Sequence, residues 1–318
     1  MKKEWIDSSW INAAPLIIFL IFFGFFSLTK LILNIYAVDV PCIEDSGHIV
    51  IITKRFSGQF VFVFFIGINA FLGVIGLVIY FLLIHKYWSN FEYTLLCLFF
   101  CVFFAFLLWA AYIPVVEPVV DKIIGNANAA FILRHVKVLD AIKFGDFIGN
   151  LILTAAVLTI YAILSGKYTV SQPIGENSKG DLEHQLKNLL NRVEDLRLVL
   201  YIAMLLLVVV ILRASAVLNW ALRMLPENIK EMSEFFATFT LTMGVTFTIL
   251  LASMYIPAYY ILRKRAEAFV GKSDYTKDKL AADFKIEFFG FSIKDSLPPI
   301  LAIIAPFLTG VITDTTIT

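Results

Sequence analysis

Six nearly continuous apolar runs, at about 14–37, 59–84, 93–116, 146–165, 196–219 and 234–262, leave this chain few folds to choose from. A hydrocarbon layer of roughly 30 Å is crossed by about 20 apolar residues in a helix. Inside that layer every backbone N–H and C=O must be bonded within the protein, so only helices and closed barrels can span it. The ten-residue dyad alternation of a barrel strand is absent. The expected fold is therefore an all-α polytopic membrane protein with about six transmembrane helices. Composition agrees: 60% of residues are hydrophobic and 16% charged, against about one quarter charged in soluble domains.

Lysines precede the first run, as in a signal peptide. That run nevertheless continues to Ala37 without a small-residue cleavage pattern, and is read as a retained span. Orientation follows from the Lys and Arg residues of alternate connections. The N-terminus, 85–92, 166–197 and the tail carry 16, whereas 38–58, 117–145 and 220–233 carry 8. The excess predicts an N-in/C-in protein, with Tyr255, Tyr259 and Tyr260 as an interfacial belt before Arg263, Lys264 and Arg265. The location implied is the bacterial inner (plasma) membrane, multi-pass.

Three regions are expected. Residues 1–165 hold spans one to four and two outer loops, in which the β-branched run Ile49–Thr53 predicts a short strand. Residues 166–265 hold an amphipathic, coiled-coil-like cytoplasmic helix continuous with span five, followed by span six. Residues 266–318 form a tail whose apolar part, about 297–313, is interrupted by Pro298, Pro299 and Pro306. It is short for a span, and an interfacial, docked or re-entrant helix is expected in preference to a seventh crossing.

The passage into span five is the most informative stretch. Leu182, Leu186, Leu189, Val193, Leu196 and Leu200 recur at spacings of four, three, four, three and four, the heptad seam of a helix that packs on another helix. No Gly or Pro occurs between Asp181 and Arg213, and sharp bends almost always need one. One straight helix of about 50 Å is predicted, its cytoplasmic part available to matching seams of neighbouring subunits. The competing reading is an amphipathic helix lying on the membrane surface.

Polar groups within spans are costly and few. Lys30, Glu117 and Arg213 fall toward the same ends of spans one, three and five, and charge pairing among them is expected to staple that end of the bundle. In span six, Thr238, Thr242, Thr246 and Ser253 share a face, with Thr240, Gly244 and Thr248 in a neighbouring row. These are candidates for a pore lining or for close packing in lipid, and Pro257 for a kink at a gate. Gly73 and Gly76 in span two, and Gly145 and Gly149 in span four, mark close helix contacts.

Enzyme signatures are missing. The four histidines are scattered, there is no HExxH, CxxC, GxxxxGK[ST] or GxSxG spacing, and no cofactor or metal is expected. Without a basic domain or stripe, nucleic acid is not an expected partner. The expected partners are membrane lipids, further copies of the chain and a cytoplasmic protein. The leading functional expectation is an oligomeric channel-like or membrane-permeabilising protein gated from the cytoplasmic side, of the kind that serves as a bacterial defence or stress effector. Alternatives are a non-conducting membrane anchor that recruits a partner and a small-solute transporter, the last weakened by the absence of internal repeats.

Overall fold

The computed structural model describes residues 48–88, 138–165, 179–222, 230–270 and 293–317, with side-chain packing for 61–88, 146–165, 187–222, 233–266 and 297–313. The runs at 14–37 and 93–116, with Lys30 and Glu117, lie outside the described residues. What is described is all-helical: α1 His48–Tyr87, α2 Val138–Ser165, α3 Lys179–Leu222, α4 Lys230–Val270 and α5 Ile293–Ile317. Four of them, α1 to α4, are long and apolar enough to cross a membrane, as a membrane protein requires.

Residues Ile49–Thr53 are the one clear departure in secondary structure: they belong to the first turns of α1 rather than to a strand. A lone five-residue strand has no ladder to join, whereas a helix bonds its own backbone and is extended here by the apolar run that follows. β-Branched residues disfavour helix only slightly, and a 40-residue helix easily carries them.

The helix α3 is the hub and packs on each of the other four. It is unbroken over 44 residues, about 66 Å, straight through Leu196 where charged sequence gives way to apolar. Its partners are set by residues far apart in sequence. Gly76 faces Ile202 and Leu206, Tyr80 donates a hydrogen bond to the Val199 carbonyl at 3.3 Å, and Phe62 meets Trp220 with ring centroids 6.1 Å apart; α1 and α3 are therefore antiparallel. By contrast, Gly73 faces Ile148 and Ile152 and Trp88 bonds Ser165, so α1 and α2 run the same way. Small residues let these backbones approach, because in lipid dispersion contacts rather than water exclusion hold helices together.

The seam expected to face other subunits is turned inward. Leu189, Val193, Leu196 and Leu200 are between 0 and 3% exposed, buried among residues of α1, α2 and α4. The side chains of Leu182 and Leu186 lie outside the described packing. Along the opposite flank of α1, Phe71, Val74 and Leu82 are 60–67% exposed, an apolar surface suited to lipid or a further helix.

The tail helix α5 is docked lengthwise on α4 and α3, not laid across the end of the bundle. Its contact with α4 is backbone to backbone: a Cβ on Gly244 would stand 2.7 Å from the Pro306 carbonyl oxygen and 3.2 Å from the Gly310 Cα. The row Thr240–Gly244–Thr248, read in the sequence beside the threonine stripe, is the floor of this contact.

Candidate functional site: two buried arginine centres on one helix

The carbonyls of the last turn of a helix have no partner within it and carry the negative end of the helix dipole. At the end of α2 two arginines supply the missing donors. Arg192 of α3 donates to the Ile163 carbonyl at 2.6 Å, and Arg265 of α4 donates to the Leu164 carbonyl at 2.7 Å. Their exposures are 7 and 5%, so each guanidinium is held inside the protein by charge-assisted bonds. The guanidinium of Arg192 also lies over the Tyr87 ring, 4.9 Å from its centroid.

The end of α1 is drawn into the same place. Asp195 of α3 accepts from Lys86 at 2.6 Å and from the Tyr87 hydroxyl through one carboxylate oxygen. Trp88 donates to the Ser165 hydroxyl at 3.0 Å and packs edge-on to Tyr161. Arg197 and the Tyr255 hydroxyl are hydrogen-bonded, joining α3 to α4. Four helices are thus tied within six residues of α3, Arg192 to Arg197.

Toward the other end of α3, Arg213 forms an ion pair with Asp146 at the start of the apolar part of α2. Arg213 is 4% and Asp146 21% exposed. From 192 to 213 is 21 residues, about 31 Å along a helix and close to the thickness of a hydrocarbon layer. The two arginine centres therefore stand where a membrane spanned by α3 would have its two faces.

No family model matches the chain, and no curated protein or solved structure matches it. What the site can do rests on its own geometry.

Among the described residues no group of three or more His, Cys, Asp or Glu could hold a metal ion. The best-defined internal void holds about 10 Å³, between Leu196, Leu200, Ala203, Leu251 and Met254 among others. That is about the size of a single water. The sequence-derived stripe on α4 lies outside it: Thr238 and Thr242 are exposed, Thr246 and Ser253 partly so. Thr242 and Thr246 donate to the carbonyls of Thr238 and Thr242 at 2.8 Å, and Ser253 to that of Leu250. Pro257 is accommodated within the α4 helix.

Of the charge-pairing residues singled out in the sequence, Arg213 is described and its partner is Asp146. Gly149 meets only ordinary contact from Val210, and the surroundings of Gly145 lie outside the described packing. Sequence reasoning passed over Arg192, Asp195, Arg265 and Asp146 as site residues. A signal for Arg192 was present: it lies three residues after Leu189 and four before Leu196, on the flank of the seam, where an unpaired charge would be intolerable.

Replacing Arg192 by methionine keeps the stem and removes the donors. A loss of about 1.5–3 kcal/mol in stability is expected, the usual weight of a bond from a charged group. Thermal unfolding in detergent is the measurement, and an unchanged midpoint would mean that the end of α2 does not depend on this arginine.

Proposed function

We propose that the protein is an oligomeric, channel-like integral membrane protein of the bacterial inner membrane, gated from the cytoplasmic side. The observation that carries this reading is the outward position of Thr238, Thr242 and Thr246 on α4. A wet path would then run between subunits, bordered by hydroxyls that stay bonded to their own helix when dry and offer lone pairs to water or ions when wet. Contact between copies would use lipid-facing surfaces of the bundle, since the seam from Leu189 to Leu200 is filled from within the chain.

Gating follows from α3. A continuous helix carries Arg192 and Asp195 at one end and Arg213 at the other, so a ligand that favours one arrangement of the Arg192 collar shifts the population of bundle packings as a whole. A cytoplasmic protein or a copy of the chain is the partner class in this reading. Six long spans, with the N-terminus and the connections at 85–92 and 166–197 on the cytoplasmic side, are supported by the charge count. They are supported too by the parallel run of α1 and α2, which calls for an odd number of crossings between them.

The second reading is a non-conducting anchor, favoured by the self-satisfied hydroxyls of the same stripe, which suit lipid equally well. Single-channel recording in liposomes separates the two. Discrete conductance steps that fall at least several-fold in Thr242→Leu or Thr246→Leu are expected for a pore. A tight membrane containing purified, folded protein removes the channel reading.

A further inference from the structure

We propose that α5 is itself a membrane-crossing helix, so that residues beyond Thr313 emerge on the side opposite the end of α4. This goes beyond the channel reading, does not depend on it, and replaces the C-in arrangement expected from the sequence.

The first support is the register of α5 on α4. Gly310 lies against the Thr240 carbonyl and Leu241, at 3.1 and 3.3 Å from the position of an added Cβ. Gly244 lies against Pro306, Phe307 and Gly310, and further along α4 the Thr248 hydroxyl accepts from the Phe307 amide at 3.0 Å. As the α4 number rises the α5 number falls, so the helices are antiparallel. Extended at the same rise per residue, this register sets the start of α5 beside about residue 259 of α4 and its end beside about residue 235. The helix therefore begins at the tyrosine belt of α4 and reaches the first turns of the α4 apolar stretch, which starts at Ser233. A companion that runs antiparallel beside about 24 residues of a spanning helix, roughly 36 Å, does not stop halfway or lie flat.

The second support is charge. From Arg263 to Lys294 the sequence holds eight Lys and Arg residues, and from Asp295 to Thr318 it holds none. The basic flank is thus all on one side of α5, the asymmetry of a crossing segment rather than of a helix returning to its own side. The apolar part, Leu297–Thr313, has 17 residues, about 26 Å of helix, and slight thinning of the bilayer absorbs the shortfall. Pro306 is tolerable because a neighbouring helix supplies a partner for backbone freed beside it: the Phe307 amide is bonded to Thr248.

The test is side-specific labelling of the full chain in intact cells with a membrane-impermeant maleimide. Cysteine is placed at the last turn of α4 (Ala268→Cys) or of α5 (Thr316→Cys), with Cys42, Cys97 and Cys101 changed to serine. The expected result is labelling from opposite sides: at least ten-fold more for Thr316→Cys in intact cells, and for Ala268→Cys only after permeabilisation. Labelling of both from the same side, or of Thr316→Cys only after denaturation, overturns the proposal. Mass spectrometry of the peptide between Arg265 and Lys272 for Ala268→Cys, and of the peptide following Lys294 for Thr316→Cys, reads the same answer with the native cysteines in place, should the serine background fold poorly. Conductance is not involved, so failure here and failure of the pore reading are distinct events.

Discussion

Arg213→Leu is expected to lower the stability of the folded protein by about 3–5 kcal/mol, the usual cost of leaving one member of a buried ion pair without its partner. Arg213 is 4% exposed and Asp146 21%, so the arginine in particular is held away from water and depends on its partner for compensation. The informative experiment is the cycle with Asp146→Leu. If the pair is held by mutual need, the double variant Arg213→Leu/Asp146→Leu should be more stable than either single variant, because two apolar side chains pack where two charges had to be matched. Unfolding in mixed detergent micelles, followed by helix content, measures all four proteins. Strictly additive losses would mean that the two groups do not depend on each other in the folded state.

The second large effect is expected at Gly244. A valine there would drive a methyl-bearing Cβ to within 2.7 Å of the Pro306 carbonyl oxygen, and backbone cannot swing aside as a side-chain end can. Overpacking of this kind costs about 1–3 kcal/mol, occasionally more. Here relief requires α5 to move off α4, exposing Ala302, which is 3% exposed in the docked state, and separating Phe307 from Thr248. Gly310→Val should do the same from the other side, and the two together should cost much less than the sum, since the contact is lost only once. Gly149→Ala is the matching control: its added Cβ would sit 3.9 Å from Val210, an ordinary contact, and little change is expected. Protease sensitivity of α5 reads detachment directly. If Gly244→Val left α5 as protected as before, the glycine contact would not be what holds the tail helix in place.

The two effects concern different parts of one design. In both, groups that lipid cannot satisfy or accommodate are matched between helices whose contact residues lie far apart in the chain. Arg213 and Asp146 are separated by 67 positions and Arg265 and Leu164 by 101.

From the sequence alone, the helical class, the positions of the apolar stretches carried by α1 to α4 and the absence of any break in α3 could be read, because they depend on local rules. Lipid forces backbone groups to bond within a segment, spanning sets a minimum length, and without Gly or Pro a helix has no reason to bend. The seam from Leu189 to Leu200 was legible as a face but not as a contact: periodicity tells which residues lie together, never which surface covers them. Only the packed structure decided that this seam meets α1, α2 and α4, that Arg213 pairs with Asp146, that Arg192 and Arg265 close the end of α2, and that α5 docks antiparallel on α4. Each is a choice among partners of similar chemistry, settled by which helices come to lie within a few ångströms and in which direction they run, and a list of residues carries no such distances.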